Sequence, residues 1–359
     1  MQILAIDVGT GTQDILLYDA EKGIENSPMM VMPSPTVMVA DKIRRATESK
    51  IDVLLTGYIM GGGPSTRAIK DHLKKGLDVI ATKNAALTIN DNLDRVRSMG
   101  IEIIDEHDLG SLPENLQRIN LQDLTIDEIK NAFYQFGVAF PSKFAVAVQD
   151  HGNSPKLSNR VYRFKHFENA IKKGGGLENF SYKNEDIPPY LTRIKDTSSV
   201  IDNTKSVFMD TGPAAIFGAL QDPSSYQPSV VVNIGNGHTL GALAVDNRVT
   251  ALFEHHTSKL NPSKLQDYIV RLSEGNLTFD EVLNDGGHGC YINKKIGFDN
   301  IQSVTVTGPS RGMIQNIDII DKNPKLWEKL HFAAPFGNMM LTGCFGLLSA
   351  YRYHYEEYI

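Results

Sequence analysis

Gln2-Ile3-Leu4-Ala5-Ile6-Asp7-Val8-Gly9-Thr10-Gly11-Thr12-Gln13-Asp14 opens the chain. A mostly apolar run leads to a carboxylate, Asp7. Small residues from Gly9 to Thr12 turn the chain, and Ile15 to Tyr18 is apolar again. The pattern predicts a strand, a tight glycine turn and a returning strand. Glycine lets backbone N–H groups come close to an anion, and threonine hydroxyls add donors. Asp7, at the strand's end, is placed to hold a divalent cation that the anion shares. The stretch suits a hairpin that grips a nucleotide phosphate. The same residues also suit an ordinary hairpin with a glycine turn.

Far down the chain the arrangement recurs. Val230-Val231-Val232-Asn233-Ile234-Gly235-Asn236-Gly237-His238-Thr239 is a β-branched strand, a polar residue, a glycine-bearing turn and a hydroxyl. Leu240 to Val245 returns as an apolar strand, and Arg248 to Phe253 reads as a third. Recurrence at this distance suggests two related domains, each offering one hairpin to a ligand between them. A third glycine turn, Gly308-Pro309-Ser310-Arg311-Gly312, follows the strand Val304–Thr307 and suits a nucleotide's sugar and base. Val207 to Leu220 contains a helix with Ala214, Ala215, Gly218 and Ala219, and Asp210 just precedes it. The final helix, expected over Phe336–Tyr351, carries Gly337, Thr342, Gly343, Cys344, Gly346, Ser349 and Ala350. Glycine lowers helix propensity, and close helix packing is one reason to keep it there.

Between the hairpins, residues 51–104 alternate strand and helix, which predicts β-α-β units on a parallel sheet. Gly61-Gly62-Gly63-Pro64-Ser65-Thr66 joins a strand to a helix, an anion-binding position as well as a plain connection. Thr125 to Phe136 reads as a helix capped by Thr125. Phe144 to Gln149 is a buried strand ending at Asp150-His151-Gly152-Asn153, where open α/β sheets place their sites. Tyr162 to Tyr190 reads as an irregular surface excursion or lid. The basic residues Arg160, Arg163, Lys165, Lys172 and Lys173 are expected there as a solvated face or as contacts to an acidic ligand.

At 359 residues two domains are expected, divided as 1–205 and 206–359. The net charge of −6 argues against nucleic acid as a partner. No stretch has the length of a membrane span, and the chain starts directly on a strand, so a cytoplasmic location is expected. The two cysteines, Cys290 and Cys344, imply no disulfide framework. A mixed metal set of His255, His256, Asp285, His288 and Cys290 is an alternative source of chemistry.

The order of these motifs resembles the actin, chaperone-ATPase and sugar-kinase superfamily. Asp7 to Thr12 resembles its first phosphate loop, Asn233 to Thr239 the second, and Gly308 to Gly312 the adenosine loop. Asp210 to Leu220 and Phe336 to Ala350 resemble its two connecting helices. The resemblance implies an α/β fold of two ribonuclease-H-like domains with mixed sheets around a nucleotide cleft. It implies ATP and Mg²⁺ as cofactors, with Asp7 at the metal. The nucleotide contacts it implies are Gly9, Thr10, Gly11, Thr12, Asn233, Gly235, Asn236, Gly237, His238, Thr239, Gly308, Pro309 and Gly312. Asp210 matches the position of the acceptor's general base, and it also suits a helix cap. One departure is clear: the second loop begins with Asn233 where aspartate is usual, and an amide holds a metal-bound water less strongly.

The whole chain also resembles a prokaryotic family labelled as a pyruvate formate-lyase-activating enzyme, through Asp7 to Asp14, Tyr58 to Pro64 and Asn233 to Thr239. Activating enzymes of that kind hold an iron–sulfur cluster on three closely spaced cysteines. Two cysteines, 54 positions apart, do not build one. The expected activity is an ATPase or a phosphotransferase acting on a small molecule, or else a nucleotide-gated switch with little turnover. The acceptor is expected in residues 25–200, at Gly61–Thr66 or Asp150–Asn153.

Overall fold

A computed structural model describes residues 1–154, 158–201, 205–315 and 323–355. The chain begins with β1 (Gln2–Val8), β2 (Thr12–Asp19) and β3 (Met29–Pro33), followed by α1 (Pro35–Glu48). An α/β insertion comes next: β4 (Val53–Gly57), α2 (Pro64–Lys74), β5 (Val79–Thr82), α3 (Lys83–Ile89), α4 (Leu93–Ser98), β6 (Ile101–Ile104) and β7 (Gln117–Leu121). Then come α5 (Ile126–Gln135), β8 (Phe144–Val148), α6 (Asn159–Lys172), β9 (Ser181–Lys183), α7 (Thr192–Ser199), β10 (Ser206–Met209) and α8 (Thr211–Ala219). The last part holds β11 (Ser229–Ile234), β12 (His238–Val245), β13 (Arg248–His256), α9 (Pro262–Glu274), α10 (Phe279–Asn284) and β14 (Gly289–Ile292). It closes with β15 (Ser303–Thr307), α11 (Pro324–Lys329), β16 (Leu330–Phe332) and α12 (Thr342–Tyr355).

The first sheet has the order β3-β2-β1-β8-β10-β9, and the second β14-β13-β12-β11-β15-β16. In each, an antiparallel meander of three strands is followed by two strands parallel to its first: β8 and β10 beside β1, β15 and β16 beside β11. This is the ribonuclease-H-like order, built twice, with β9 and β14 added at the edges. The first sheet includes Ser206–Met209 and so runs past the division expected at 205/206. The central strands β1 and β11 are buried on both faces, which is why they read as nearly unbroken apolar runs. The insertion forms a separate parallel sheet, β6-β5-β4-β7, with its own apolar core. Edge strand β3 exposes Val31 and Met32.

The two sheets meet through α8 and α12, which occupy equivalent positions after the last paired strand of each half. The helices cross on glycines. A Cβ at Gly218 would lie 1.8 Å from the Thr342 carbonyl oxygen, and one at Gly346 would lie 2.0 Å from that of Ala214. The core around them draws Ala5 and Leu16 from the first sheet and Val231 and Leu240 from the second.

Two expectations are corrected. The final helix starts at Thr342, because Pro335–Gly337 forms a separate turn in which Phe336 takes a left-handed backbone conformation. The segment 162–190 is not an irregular excursion. Residues 159–172 form α6, and Phe164 and Phe167 on it are core residues. Charged residues around these aromatics hide the apolar face when the sequence is read alone. Among the described residues no helix is long and apolar enough to cross a membrane.

Candidate functional site

Both glycine hairpins close in the same way. Gly9 N–H donates to the Thr12 carbonyl at 2.9 Å, and Gly235 N–H donates to the His238 carbonyl at 2.9 Å. Registers match as well: Asp7 pairs with Asp14 across the first hairpin, and Asn233 with Leu240 across the second. Directly opposed residues project to the same face. The first hairpin therefore presents two carboxylates side by side, where the second presents an amide and a leucine. The tips touch: a Cβ at Gly11 would fall 2.4 Å from Asn236 Nδ2, and one at Gly237 would fall 2.9 Å from Thr10 Oγ1.

Asp7 is buried and Asp14 half-buried. Desolvation pushes Asp7 up to about 7, against the hydroxyl of Thr211, which donates to Oδ1 at 2.5 Å; the charge of Asp210 adds to the rise. Asp14 is pushed up to about 8 by desolvation and by the neighbouring Asp7, with a hydrogen bond from Thr12 opposing. Asp14 Oδ1 is buried with no hydrogen-bond partner. The first turn of α12 presses on the pair, since a Cβ at Gly343 would meet Asp7 Oδ2 at 1.9 Å. Two crowded carboxylates with an orphaned oxygen fit a hard divalent cation such as Mg²⁺, which takes oxygen ligands.

The hairpins face a cleft that is open to solvent. Its walls include Asp7, Gly9, Thr10, Thr12, Asn233, Gly235, Asn236, Gly237, His238, Gly308 and Pro309, so the structure brings together most of the residues expected from sequence. Gly11 stands at the hairpin contact. Thr239 is buried behind the second hairpin, its hydroxyl 3.0 Å from that of Thr257. Gly312 lies on a short turn outside the lining. Asp14, Gln149, Thr211, Glu254 and Gly343 also line the cleft and were not anticipated, and Arg163, named from sequence as a possible contact to an acidic ligand, lines it too. Asp14 had a readable signal: a tight turn across Gly9–Thr12 sets it opposite Asp7.

Of the two settings expected for Arg163, a solvated face or a contact to an acidic ligand, the first does not hold, since Arg163 is 2% exposed. Its guanidinium donates to Asp210 at 2.6 and 2.9 Å, to Glu254 at 2.6 and 3.1 Å, and to the Asp150 carbonyl at 2.7 Å. Burial raises the Glu254 carboxyl, but Arg163 and His288 more than reverse this and hold it well below its usual range. Asp210 also accepts from the backbone N–H of Gly212 and of Asp150. The geometry thus differs from that of a free general base: Asp210 caps α8, anchors Arg163 and does not line the cleft.

The mixed metal set is not gathered as expected. His255 Nε2 lies 3.0 Å from Asp285 Oδ2, and that carboxylate also takes Lys264 and Tyr268. Cys290 is buried, with its thiol toward the Leu277 carbonyl. His288 faces the other way, toward Glu254, His151 and His238. Of the two acceptor sites expected, Gly61–Thr66 leans on the first hairpin, with Gly63 beside Thr10. The Asp150 carboxylate is taken up by the backbone N–H of Gly152 and Ile194, and burial raises it to about 6.

A family described as "Putative pyruvate format-lyase activating enzyme (DUF1786)" matches residues 60–313. The chain belongs to this family. Cys290 and Cys344 are both buried and sit in different cores, so they are not brought together as ligands of one cluster. No curated protein matches the chain. Among solved structures, it is similar to the ethanolamine utilization protein EutJ from Carboxydothermus hydrogenoformans, at 10% identity over 97% of this chain and 89% of that one, with a TM-score of 0.30. It is similar to the inorganic polyphosphate/ATP-glucomannokinase from Arthrobacter sp. strain KM, at 9% identity over 99% of both chains, with a TM-score of 0.34. MreB5 of Spiroplasma citri bound to ADP is 10% identical over 99% of both chains, with a TM-score of 0.32.

Proposed function

We propose that the cleft binds ATP with Mg²⁺, its phosphates between Gly9–Thr12 and Gly235–His238, and that the protein is an ATPase or a phosphotransferase acting on a small molecule. The observation that carries this reading is the pair of hairpins, alike in closure and register, facing one another across one cleft. Bound Mg²⁺ would neutralise phosphate charge and polarise the phosphoryl group. Asp7 and Asp14 are the residues to hold it. Thr10 and Thr12 offer hydroxyl donors to phosphate oxygens, and Gly308 and Pro309 offer a wall for sugar and base. Asp210 acts as a positioning residue through Arg163.

A nucleotide-gated switch with little turnover is a second reading, favoured by one observation. Asn233 and Leu240 replace the acid pair in the second hairpin, so any cation is held from the first half alone. Thermal unfolding with and without nucleotide tests binding. ATP with Mg²⁺ at a hundred times its Kd is expected to stabilise by about 2.7 kcal/mol. Asp7→Asn is expected to retain a shift with ATP alone and to lose the increment due to Mg²⁺. No shift at millimolar nucleotide overturns both readings. A shift without phosphate release, with or without small-molecule acceptors, selects the switch.

A further inference from the structure

Four histidines from four separate stretches meet beside the second hairpin. His151 follows β8, His238 begins β12, His256 ends β13 and His288 precedes β14. The rings of His238 and His288 are 4.8 Å apart between centroids, those of His151 and His288 5.2 Å, and those of His151 and His238 5.8 Å. His256 packs on two of them, at 4.7 Å from His238 and 4.9 Å from His288. His151, His238 and His288 each offer a ring nitrogen, and these nitrogens lie within 4.8 Å of one another.

Such a cluster is costly unless something occupies it. The Nε2 atoms of His238 and His288 are both buried without a hydrogen-bond partner. Leaving a buried polar group unpaired forfeits the hydrogen bonds it had with water. Neutral imidazoles with free lone pairs are the form that binds transition metals. Charge points the same way. One guanidinium, Arg163, sits between two carboxylates, Asp210 and Glu254, so the ion cluster next to the histidines carries an excess of negative charge.

We propose that His151, His238 and His288 bind one divalent transition-metal ion of the zinc class. Glu254 is the outer partner: its Oε2 lies 3.1 Å from His288 Nδ1, leaving Nε2 of that ring for the metal. A carboxylate behind a ligating histidine fixes ring orientation and raises its basicity. Arg163 and Gln149 in turn hold Glu254. Tetrahedral zinc, with Zn–N near 2.0–2.1 Å, places its ligand nitrogens about 3.4 Å apart, so the rings draw together slightly on binding. Three imidazoles leave one position open. His238 lines the cleft, so that position faces it and takes water or an anionic oxygen of a ligand there. The ligands come from both halves of the molecule, His151 from the first and His238 and His288 from the second, so the ion also ties the halves together. The site does not rest on the nucleotide reading.

The test is metal content. Full-length protein is stripped with chelator, loaded with Zn²⁺, desalted and measured by elemental analysis, with Co²⁺ absorption reporting geometry. About one equivalent per chain is expected, with the absorption of four-coordinate Co²⁺ bound to nitrogen. His238→Ala and His288→Ala are each expected to weaken Zn²⁺ binding at least about tenfold. His107→Ala, in the exposed Asp105–His107–Asp108 group, is expected to leave it unchanged. Should a buried variant fail to fold, His151→Ala, on a loop, carries the same expectation. Wild-type protein that retains no metal overturns the site, as does retention that depends on His107 and not on the cluster.

Discussion

At the scale of residues, the molecule depends on which charges are paired inside it. Arg163 joins Asp210, Glu254 and the Asp150 carbonyl at full burial. Removing one partner of a buried ion pair typically costs about 3–5 kcal/mol, because the other charge is left uncompensated. Arg163→Met strands two carboxylates, so a loss of at least about 3 kcal/mol is expected in urea unfolding; a loss under about 1 kcal/mol would show that solvent reaches the cluster. His166 gives a pH signature. Its ring lies 3.0 Å from the Tyr190 hydroxyl and 3.1 Å from that of Tyr182, and desolvation lowers it to about 4. The unfolded chain takes up this proton near pH 6.5 and the folded chain only near 4, so stability falls as pH falls through that window. His166→Gln is expected to flatten the decline by about 2–3 kcal/mol between pH 6.5 and 4, read from urea midpoints. Residues of this kind are the least legible in sequence. Asp7 announced itself at the end of a strand, whereas Arg163 looked like one of several basic residues in a surface excursion. Its role depends on Glu254, ninety-one positions away.

At the scale of elements, sequence carried further, because strands and turns are specified locally. The alternation of strand and helix over residues 51–104 was readable from apolar runs, and the structure places β4, α2, β5, α3, α4 and β6 there. The glycine and alanine content of the two connecting helices also signalled a close crossing, and α8 and α12 supply it. What stayed hidden was α6, whose aromatics lie among charges and give a weak periodic signal. The crossing yields a sharp expectation. At Gly218 any side chain meets the backbone of Thr342, not a movable side chain. Gly218→Val cannot be accommodated by a rotamer change and must push the helices apart, at about 3 kcal/mol or more. Because α12 also carries Gly343 against Asp7, the variant is expected to weaken nucleotide binding in the same measure as it lowers the unfolding midpoint. An unchanged midpoint would mean that the helices slide past one another without loss.

At the scale of the whole molecule, the repeated ribonuclease-H-like order sets two hairpins tip to tip over one cleft. Sequence showed the repetition and could not show the contact, since nothing local to Gly11 encodes its approach to Asn236. That contact is close enough to lock. The Cβ of Asn236 is 3.8 Å from the position a Gly11 Cβ would take, which is the mean separation across a disulfide. Cys290 and Cys344 are buried and in separate cores, so neither competes for the bond. The double variant Gly11→Cys with Asn236→Cys is therefore expected to oxidise between the two hairpins. If ligands enter by separation of the hairpin tips, the oxidised form should take up a fluorescent ATP analogue at least about tenfold more slowly than the reduced form. Reductant should then restore the rate on the same sample. Equal rates in the two redox states would show that the cleft fills from its open side while the tips stay together. The halves would then act as a fixed clamp, and any switching would have to arise in the inserted sheet of β4 to β7.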